Sequence, residues 1–373
     1  MIRLDQITLR EIHLPLREPF RISSGVVSMR RIMLLELRDA SGAVAWSECV
    51  AGEEPNYSSE TIDTAWIAVE AYVAPRVLGQ SFSTPQEVFP ALERDFRGHL
   101  MAKAGVEMGM WGLAATQAGV PLARLIGGVR DQIAVGISMG IQSSPQALAE
   151  RAMAAIAEGY HKVKIKIEPG RDLAYVRAAR EALPSAELMA DANNAYSLDD
   201  AKTLAELDEL NLMMIEQPLA HDDLVRHAAL QKQLRTPLCL DESITSLDRA
   251  QDMVTLGSGR IINIKPGRVG GFAQSIAIHD YCESQGIPVW CGGMLESGVG
   301  RAYNVALASL PNFTMPGDIS PSRRYWAQDI VTPEWTMNDE GMIAVPLAKP
   351  GIGVEIDHER VDSLTVRRAV LKG

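Results

Sequence analysis

HKVKIKIE (161–168), AELMADAN (186–193), LNLMMIEQP (210–218), TPLCLDES (236–243) and RIINIKPG (260–267) are five short runs with one texture. Each is apolar, of strand length and closed by polar or charged residues, and helical spacing fills the gaps between them. Lys166, Asp191, Glu216, Asp241 and Lys265 stand at or beside the C-terminal ends of these runs, separated by 25, 25, 25 and 24 residues. That interval suits a strand, a loop, a helix and a return loop. Working outward, IAVGISMG (133–140) precedes the five, and IPVWCGG (287–293) and PNFTMPGD (311–318) follow. Eight strands are thus predicted after Gly127-Gly128. Between them Ser144-Pro145 places a cap before a first-turn proline, and Ser197 with Asp200 resembles a capping box.

Eight such units either close as a barrel or lie open as a doubly wound sheet. No GxGxxG follows the first strand and no Walker sequence appears, so the α/β barrel is the better reading. Residues 1–50 alternate as strands around a Ser41-Gly42 turn, and about Glu60 to Leu125 turns helical. The expected organisation is an α+β lobe at 1–126, a barrel at 127–330, and a segment at 331–373 that completes the lobe with short strands such as GMIAVPL.

Composition excludes several classes. The chain has 373 residues, 47% of them hydrophobic and 22% charged, enough for a large core without disulfides. A net charge of −11 with no Lys/Arg run longer than two argues against nucleic acid. Cys49, Cys239, Cys282 and Cys291 share no metal or disulfide spacing. The N-terminus has no apolar h-region, and no membrane span is evident. A cytoplasmic homo-oligomer is expected, with neither nucleic acid nor membrane as a partner.

The five spaced residues carry the chemistry. In a barrel, strand C-termini gather on one ring, which is where catalytic residues emerge. Lys166 and Lys265 fall on strands two and six of eight, facing each other across the mouth. Asp191, Glu216 and Asp241 occupy the strands between, where three carboxylates repel unless a cation sits among them. All-oxygen ligation favours Mg²⁺, Mn²⁺ or another hard divalent ion. A dication stabilises the enediolate left when a proton alpha to a carboxylate is removed. Two opposed lysines serve as acid and base, provided that at least one has its pKa lowered. Lys164 and Arg268 add positive charge that a substrate carboxylate or acyl group can meet. Asn193 shares the face of Asp191 and supports the metal shell or simply forms a turn. One acidic strand end is ordinarily a solvated cap, and a lone Lys-x-Lys a solvent face. Even spacing and a barrel without edges argue against both.

KIKIEPG, MADANNAY, MIEQPL, CLDES, NIKPGRVGG and CGGMLESG, in that order, resemble the enolase superfamily and its muconate-lactonizing-enzyme subgroup. RGHLMAKAGVEM, PVWCGGMLESG, LPNFTMPGD and PFRISSG are similar to the o-succinylbenzoate synthase / N-succinylamino acid racemase family, also called N-acylamino acid racemases. The resemblance spans nearly the whole chain. It implies a modified (β/α)₇β barrel with a capping domain, Lys166 and Lys265 as the acid/base pair, and Asp191, Glu216 and Asp241 as Mg²⁺ ligands. It places Ser138, Lys164, Met294, Leu295 and Asp318 near the substrate, with Phe20, Ser24 and Tyr57 reaching in from the capping domain. It also implies two reactions through one enediolate: dehydration to o-succinylbenzoate on the menaquinone route, and racemisation of N-succinyl or other N-acyl amino acids. Dipeptide epimerases share the five residues but look to Asp-x-Asp after the last strand, whereas this chain reads Gly317-Asp318-Ile319-Ser320. A muconate-type cycloisomerase is a further alternative. A non-catalytic binding barrel would lack one of the five.

Overall fold

The computed structural model describes residues 1–22 and 25–373, so Ser24 lies outside the described residues. Strands β1 (Ile2–Ile22), β2 (Gly25–Asp39) and β3 (Val44–Cys49) form an antiparallel sheet, with Thr365–Lys372 pairing on the free side of β1. The expected turn forms because the Asp39 carboxylate accepts from the N–H groups of Ser41 and Ala43 at 2.9 and 2.8 Å while Gly42 takes a positive φ of 87°. The period-two alternation of β2 separates two cores. Met33, Leu35 and Leu37 pack with Trp66 and Met110 inside the lobe, whereas Ile32 and Leu34 pack with barrel residues. Helix α1 (Leu100–Ala118) lies between the two cores and is apolar nearly all round, as a helix with two buried faces must be.

Seven parallel strands follow in one sheet, adjacent in chain order: β4 (Gly136–Met139), β5 (Lys162–Lys166), β6 (Glu187–Asp191), β7 (Ile215–Glu216), β8 (Leu238–Leu240), β9 (Ile261–Ile264) and β10 (Val289–Cys291). Helices α2 (Pro145–Ala157), α3 (Leu173–Ala182), α4 (Ala201–Glu206), α5 (Leu224–Gln231), α6 (Leu247–Leu256), α7 (Phe272–Ser284) and α8 (Gly298–Ala308) alternate with them. Ser144 caps α2 by accepting from Ala147 N at 3.1 Å, and the Ser197/Asp200 capping box forms at the turn that opens α4.

The eighth predicted strand is a correction. PNFTMPGD forms no strand and pairs with its neighbours through isolated bridges, Phe313 to Val289 and Gly317 to Val135. Pro311 and Pro316 carry no N–H and cannot sustain a ladder. The segment still closes the ring, because Gly136 N donates to Gly317 O at 2.7 Å on one side and Asp318 N donates to Cys291 O at 2.9 Å on the other. The tail beyond it divides: Thr365–Lys372 joins β1, while Met342–Ala344 pairs with Gln132–Ala134 just ahead of β4.

Two buried glutamates of the lobe cap barrel helices. Glu48 on β3 accepts from Ser297 N, Ser297 Oγ and Gly300 N at the start of α8, at 3.1, 2.6 and 3.1 Å. Glu107 on α1 accepts from Phe272 N and Ala273 N at the start of α7, at 2.7 and 2.9 Å. Each satisfies N–H groups that a helix start leaves without partners. The four cysteines are buried and free, and no helix of the described residues is long and apolar enough to cross a membrane.

Candidate active site

Met189, Met214, Cys239, Ile261 and Trp290 form an apolar plug inside the barrel. Side chains alternate along a strand, so the residues two positions further on face the same interior one layer higher. Those residues are Asp191, Glu216, Asp241, Asn263 and Gly292. Strand β5 contributes Lys162, Lys164 and Lys166 to the same interior. Register aligns Lys166 with Asp191 and Asp191 with Glu216, while Asp241 and Lys265 lie just past their strand ends. A charged layer therefore rests on a dry one.

The contacts divide into two walls. On one, Lys166 Nζ donates to Asp191 Oδ2 at 2.6 Å and to Asn193 Oδ1 at 2.5 Å, and Lys164 Nζ stands 3.2 Å from Asp191, 3.1 Å from Glu216 and 2.6 Å from Asp318. On the other, Lys265 Nζ donates to Asp241 Oδ2 at 2.7 Å and to the Tyr57 hydroxyl at 3.2 Å, and that hydroxyl donates to Asp241 Oδ1 at 2.9 Å. Arg268 pairs with Asp241 and donates to Tyr57 at 3.2 Å and to Ile244 O at 2.7 Å. Gly292 is needed here, since a Cβ at that position would lie 2.6 Å from Lys265 Cε. Asn193, Asn194, Gln217 and Leu295 hold positive φ of 42, 65, 40 and 57°, at the exits of barrel strands. Asn193 thus both turns the chain and binds Lys166.

Charge balance follows from this geometry. Burial raises the Glu216 carboxyl, and the charges of Asp191 and Asp241 add to it against Lys164 and Lys265, leaving it at about 8. Burial alone would raise Asp191 and Asp241, but the ammonium and guanidinium groups beside them hold both below the usual carboxylate range. Burial pulls Lys265 down, yet the charge of Asp241 outweighs it and leaves this lysine above its ordinary value. The expectation of a depressed lysine is therefore not met at Lys265, because its carboxylate partner sits so close.

Among the described residues no three Asp, Glu, His or Cys side chains form a closed metal cage, and lysine and arginine head groups stand between the carboxylates. The donor set nevertheless fits a hard dication: three carboxylates, 1, 0 and 0% exposed, on neighbouring strands, with Glu216 pushed toward its neutral form by burial and by its carboxylate neighbours.

Above the charged layer is a cavity of about 330 Å³ lined by both lysines, Asn193, Met294 and Leu295 from the barrel, and by Phe20 and Tyr57 from the lobe. Ser138, Lys164, Arg268 and Asp318 do not line it. Ser138 is the register partner of Lys164, and Asp318 is engaged by Lys162 and Lys164 at 3.2 and 2.6 Å.

Residues 147–361 match the enolase C-terminal domain-like family, and residues 5–127 match the mandelate racemase / muconate lactonizing enzyme N-terminal domain. The chain belongs to the enolase superfamily. This enolase-superfamily enzyme is 47% identical to an o-succinylbenzoate synthase of Geobacillus kaustophilus over 98% of its length and 96% of the relative's. It is 45% identical to an N-succinylamino acid racemase of Thermus thermophilus, with 98% of both chains covered. A crystal structure of an enolase-superfamily member from Listeria innocua superposes with a TM-score of 0.96 at 39% identity, covering 100% of each chain.

Within this superfamily member, sequence reading missed Lys162, Asn263, Gln217 and Glu242. Lys162 lies over the Trp290 ring at 3.6 Å from its centroid. Asn263 Nδ2 donates to Glu216 Oε1 at 2.7 Å, Gln217 Oε1 accepts from Asp241 N at 3.0 Å, and Glu242 accepts from Asn193 Nδ2 at 3.1 Å. The step of two from Lys164 and from Lys265 would have found the first two.

Proposed function

We propose that the chain removes a proton alpha to a carboxylate through an enediolate, acting as an o-succinylbenzoate synthase, an N-succinyl (N-acyl) amino acid racemase, or both. The observation that carries this reading is that Lys166 and Lys265, four staves apart in the ring, line one cavity. One lysine, as the free amine, takes the proton from Cα while the bond's electron pair moves into the carboxylate. In dehydration the pair returns and hydroxide leaves. In racemisation the opposite lysine, as the ammonium, delivers a proton to the other face. Asp191, Glu216 and Asp241 are the residues that would hold Mg²⁺ or Mn²⁺, which when bound stabilises negative charge on the carboxylate oxygens. Asn193 and Tyr57 orient the two lysines, Arg268 fixes Asp241, and Met294, Leu295 and Phe20 enclose the substrate. Ser138, Lys164 and Asp318 support the charged layer from beneath.

A free-amine substrate, as in dipeptide epimerisation, is disfavoured because the single aspartate of Gly317-Asp318-Ile319-Ser320 is spent on two lysines and held at about 2 by their charge despite burial. An N-acyl nitrogen carries no charge and needs no such partner. We also assign the protein to the cytoplasm as a homo-oligomer with a small-molecule substrate and neither membrane nor nucleic-acid partner. The test is deuterium incorporation at Cα of N-succinyl amino acids, followed by proton NMR with Mg²⁺ and then with excess chelator. Metal-dependent exchange is expected; exchange that persists in chelator overturns the mechanism.

A further inference from the structure

Arg30 lines the same cavity as Lys166 and Lys265 but belongs to β2 of the lobe. Alternation puts it on the face of Ile32 and Leu34, which packs toward the barrel, so it reaches the site from above. It is 6% exposed, and the described residues provide its guanidinium with one hydrogen bond, Nη2 to Val50 O at 3.3 Å, while Nε is buried without a partner. A buried guanidinium carries five N–H donors and costs free energy when they stay unpaired. The two acidic groups nearest in charge are Glu48 and Glu296. Both are engaged by other donors: Glu48 takes Ser297 and Gly300, and Glu296 Oε1 takes Met294 N at 2.9 Å and Asn304 Nδ2 at 2.8 Å.

The neighbouring arginine is different. Arg31 lines the cavity too, but its donors are used on Glu11 at 2.8 Å and on Asp63 at 2.9 and 3.1 Å. Glu53 and Glu54 sit at the exposed rim, and Glu60 is tied to Met101 N and Ala102 N at 2.8 and 3.1 Å. Among the described residues Arg30 is thus the cationic group of the cavity left with donors to offer and no anion hydrogen-bonded to it.

We propose that Arg30 is the recognition residue for a second anionic group on the substrate, at the far end of the acyl arm from the reacting carboxylate. The cavity then selects dianionic acyl groups such as succinyl over acyl groups that end in a neutral atom. This rests on the reading of the site as one for N-acyl acids. A planar guanidinium pairs with a carboxylate through two parallel N–H···O bonds, which fixes the arm and sets the reach from Arg30 to the lysines as a length gauge.

The experiment compares N-succinyl and N-acetyl forms of one amino acid in wild type, Arg30→Met and Arg30→Lys, following Cα deuterium exchange. Arg30→Met is expected to lower kcat/KM for the succinyl substrate roughly 30-fold or more, mostly through KM, and to leave the acetyl substrate unchanged. Arg30→Lys restores part of the loss. Equal losses on both substrates would show a structural role only and overturn the proposal, as would no loss on either. If Arg30→Met does not fold, the wild type decides: calorimetric binding of the N-succinyl compound against its succinyl methyl ester must favour the free acid by a similar factor, and equal affinity overturns the proposal. If the wild type exchanges neither substrate, the enediolate reading fails on its own, and the same binding comparison still judges Arg30.

Discussion

The Lys166 wall and the Lys265 wall look equivalent from above, each a lysine on a carboxylate, but they are built from different parts of the molecule. Lys166 is held by Asp191, at the end of the barrel strand next to its own, and by Asn193 in the turn that leaves that strand. Lys265 is held by Asp241 from the barrel and by Tyr57, a lobe residue 208 positions away in sequence, with Arg268 crowding the same carboxylate. One proposed base is therefore positioned by the barrel alone, and the other depends on how the lobe sits. Racemisation needs both walls, whereas dehydration needs one base and a group that stabilises charge, so the two proposed activities load the interface unequally.

The sharpest way to break this comparison is to remove each lysine. Lys166→Ala is expected to cost both activities about a thousandfold. Lys265→Ala should cost racemisation as much, measured by circular dichroism of N-succinyl enantiomers, but should spare more of the dehydration. Equal losses of both reactions in Lys265→Ala would remove the distinction between the walls. Next in size is Gly292→Ala, whose added methyl would meet Lys265 Cε at 2.6 Å. Displacing that amine by a fraction of an ångström is expected to slow racemisation by about a hundredfold, with thermal stability as the control.

Smaller effects distinguish the supporting residues. Asn193→Ala is expected to slow both reactions by about tenfold, and Tyr57→Phe to slow racemisation by about threefold. Steady-state kinetics on both substrates checks the pair; a larger effect of Tyr57→Phe on dehydration than on racemisation would contradict the assignment of Tyr57 to the Lys265 wall. The smallest expected effect concerns lobe docking. Burial pushes the Glu48 carboxyl up to about 8 and the Glu107 carboxyl up to about 7, both from an ordinary 4.5. A carboxyl raised in the folded state contributes its stabilisation fully below its unfolded value, and that contribution is lost as pH climbs through the folded one. The melting temperature should accordingly fall as pH rises from about 5 to above 8, and Glu107→Gln and Glu48→Gln should flatten that fall in scanning calorimetry.

Much of the barrel wall was legible in the chain because strand length, loop length and helix length repeat. Asp191, Glu216 and Asp241 could be read as neighbours since one βα unit separates each from the next. The eighth stave was misread because PNFTMPGD has the apolar content of a strand, and its two prolines, which deny it the ladder, were passed over. The lobe's share of the site was legible only through family resemblance, which suggested Phe20 and Tyr57 and did not suggest Arg30. Nothing local distinguishes Arg30 from Arg31: which of two adjacent arginines keeps donors to offer in the cavity is decided by strand phase and by where Glu11 and Asp63 fall in three dimensions. Glu48 likewise meets Ser297 across 249 residues, and no sequence window contains that pair.

The irregular closing segment has a further consequence. A hoop of six ladders and one pair of isolated bridges is not uniformly strong. Opening is expected to be easiest at the closing segment, which isolated bridges at Phe313 and Gly317 join to its neighbours in place of ladders. Asp318 sits at the end of that seam and holds Lys162 and Lys164 from below. The clasp of the barrel and the floor of its charged layer are thus the same few residues, so a transient gap in the hoop would release two lysines at once.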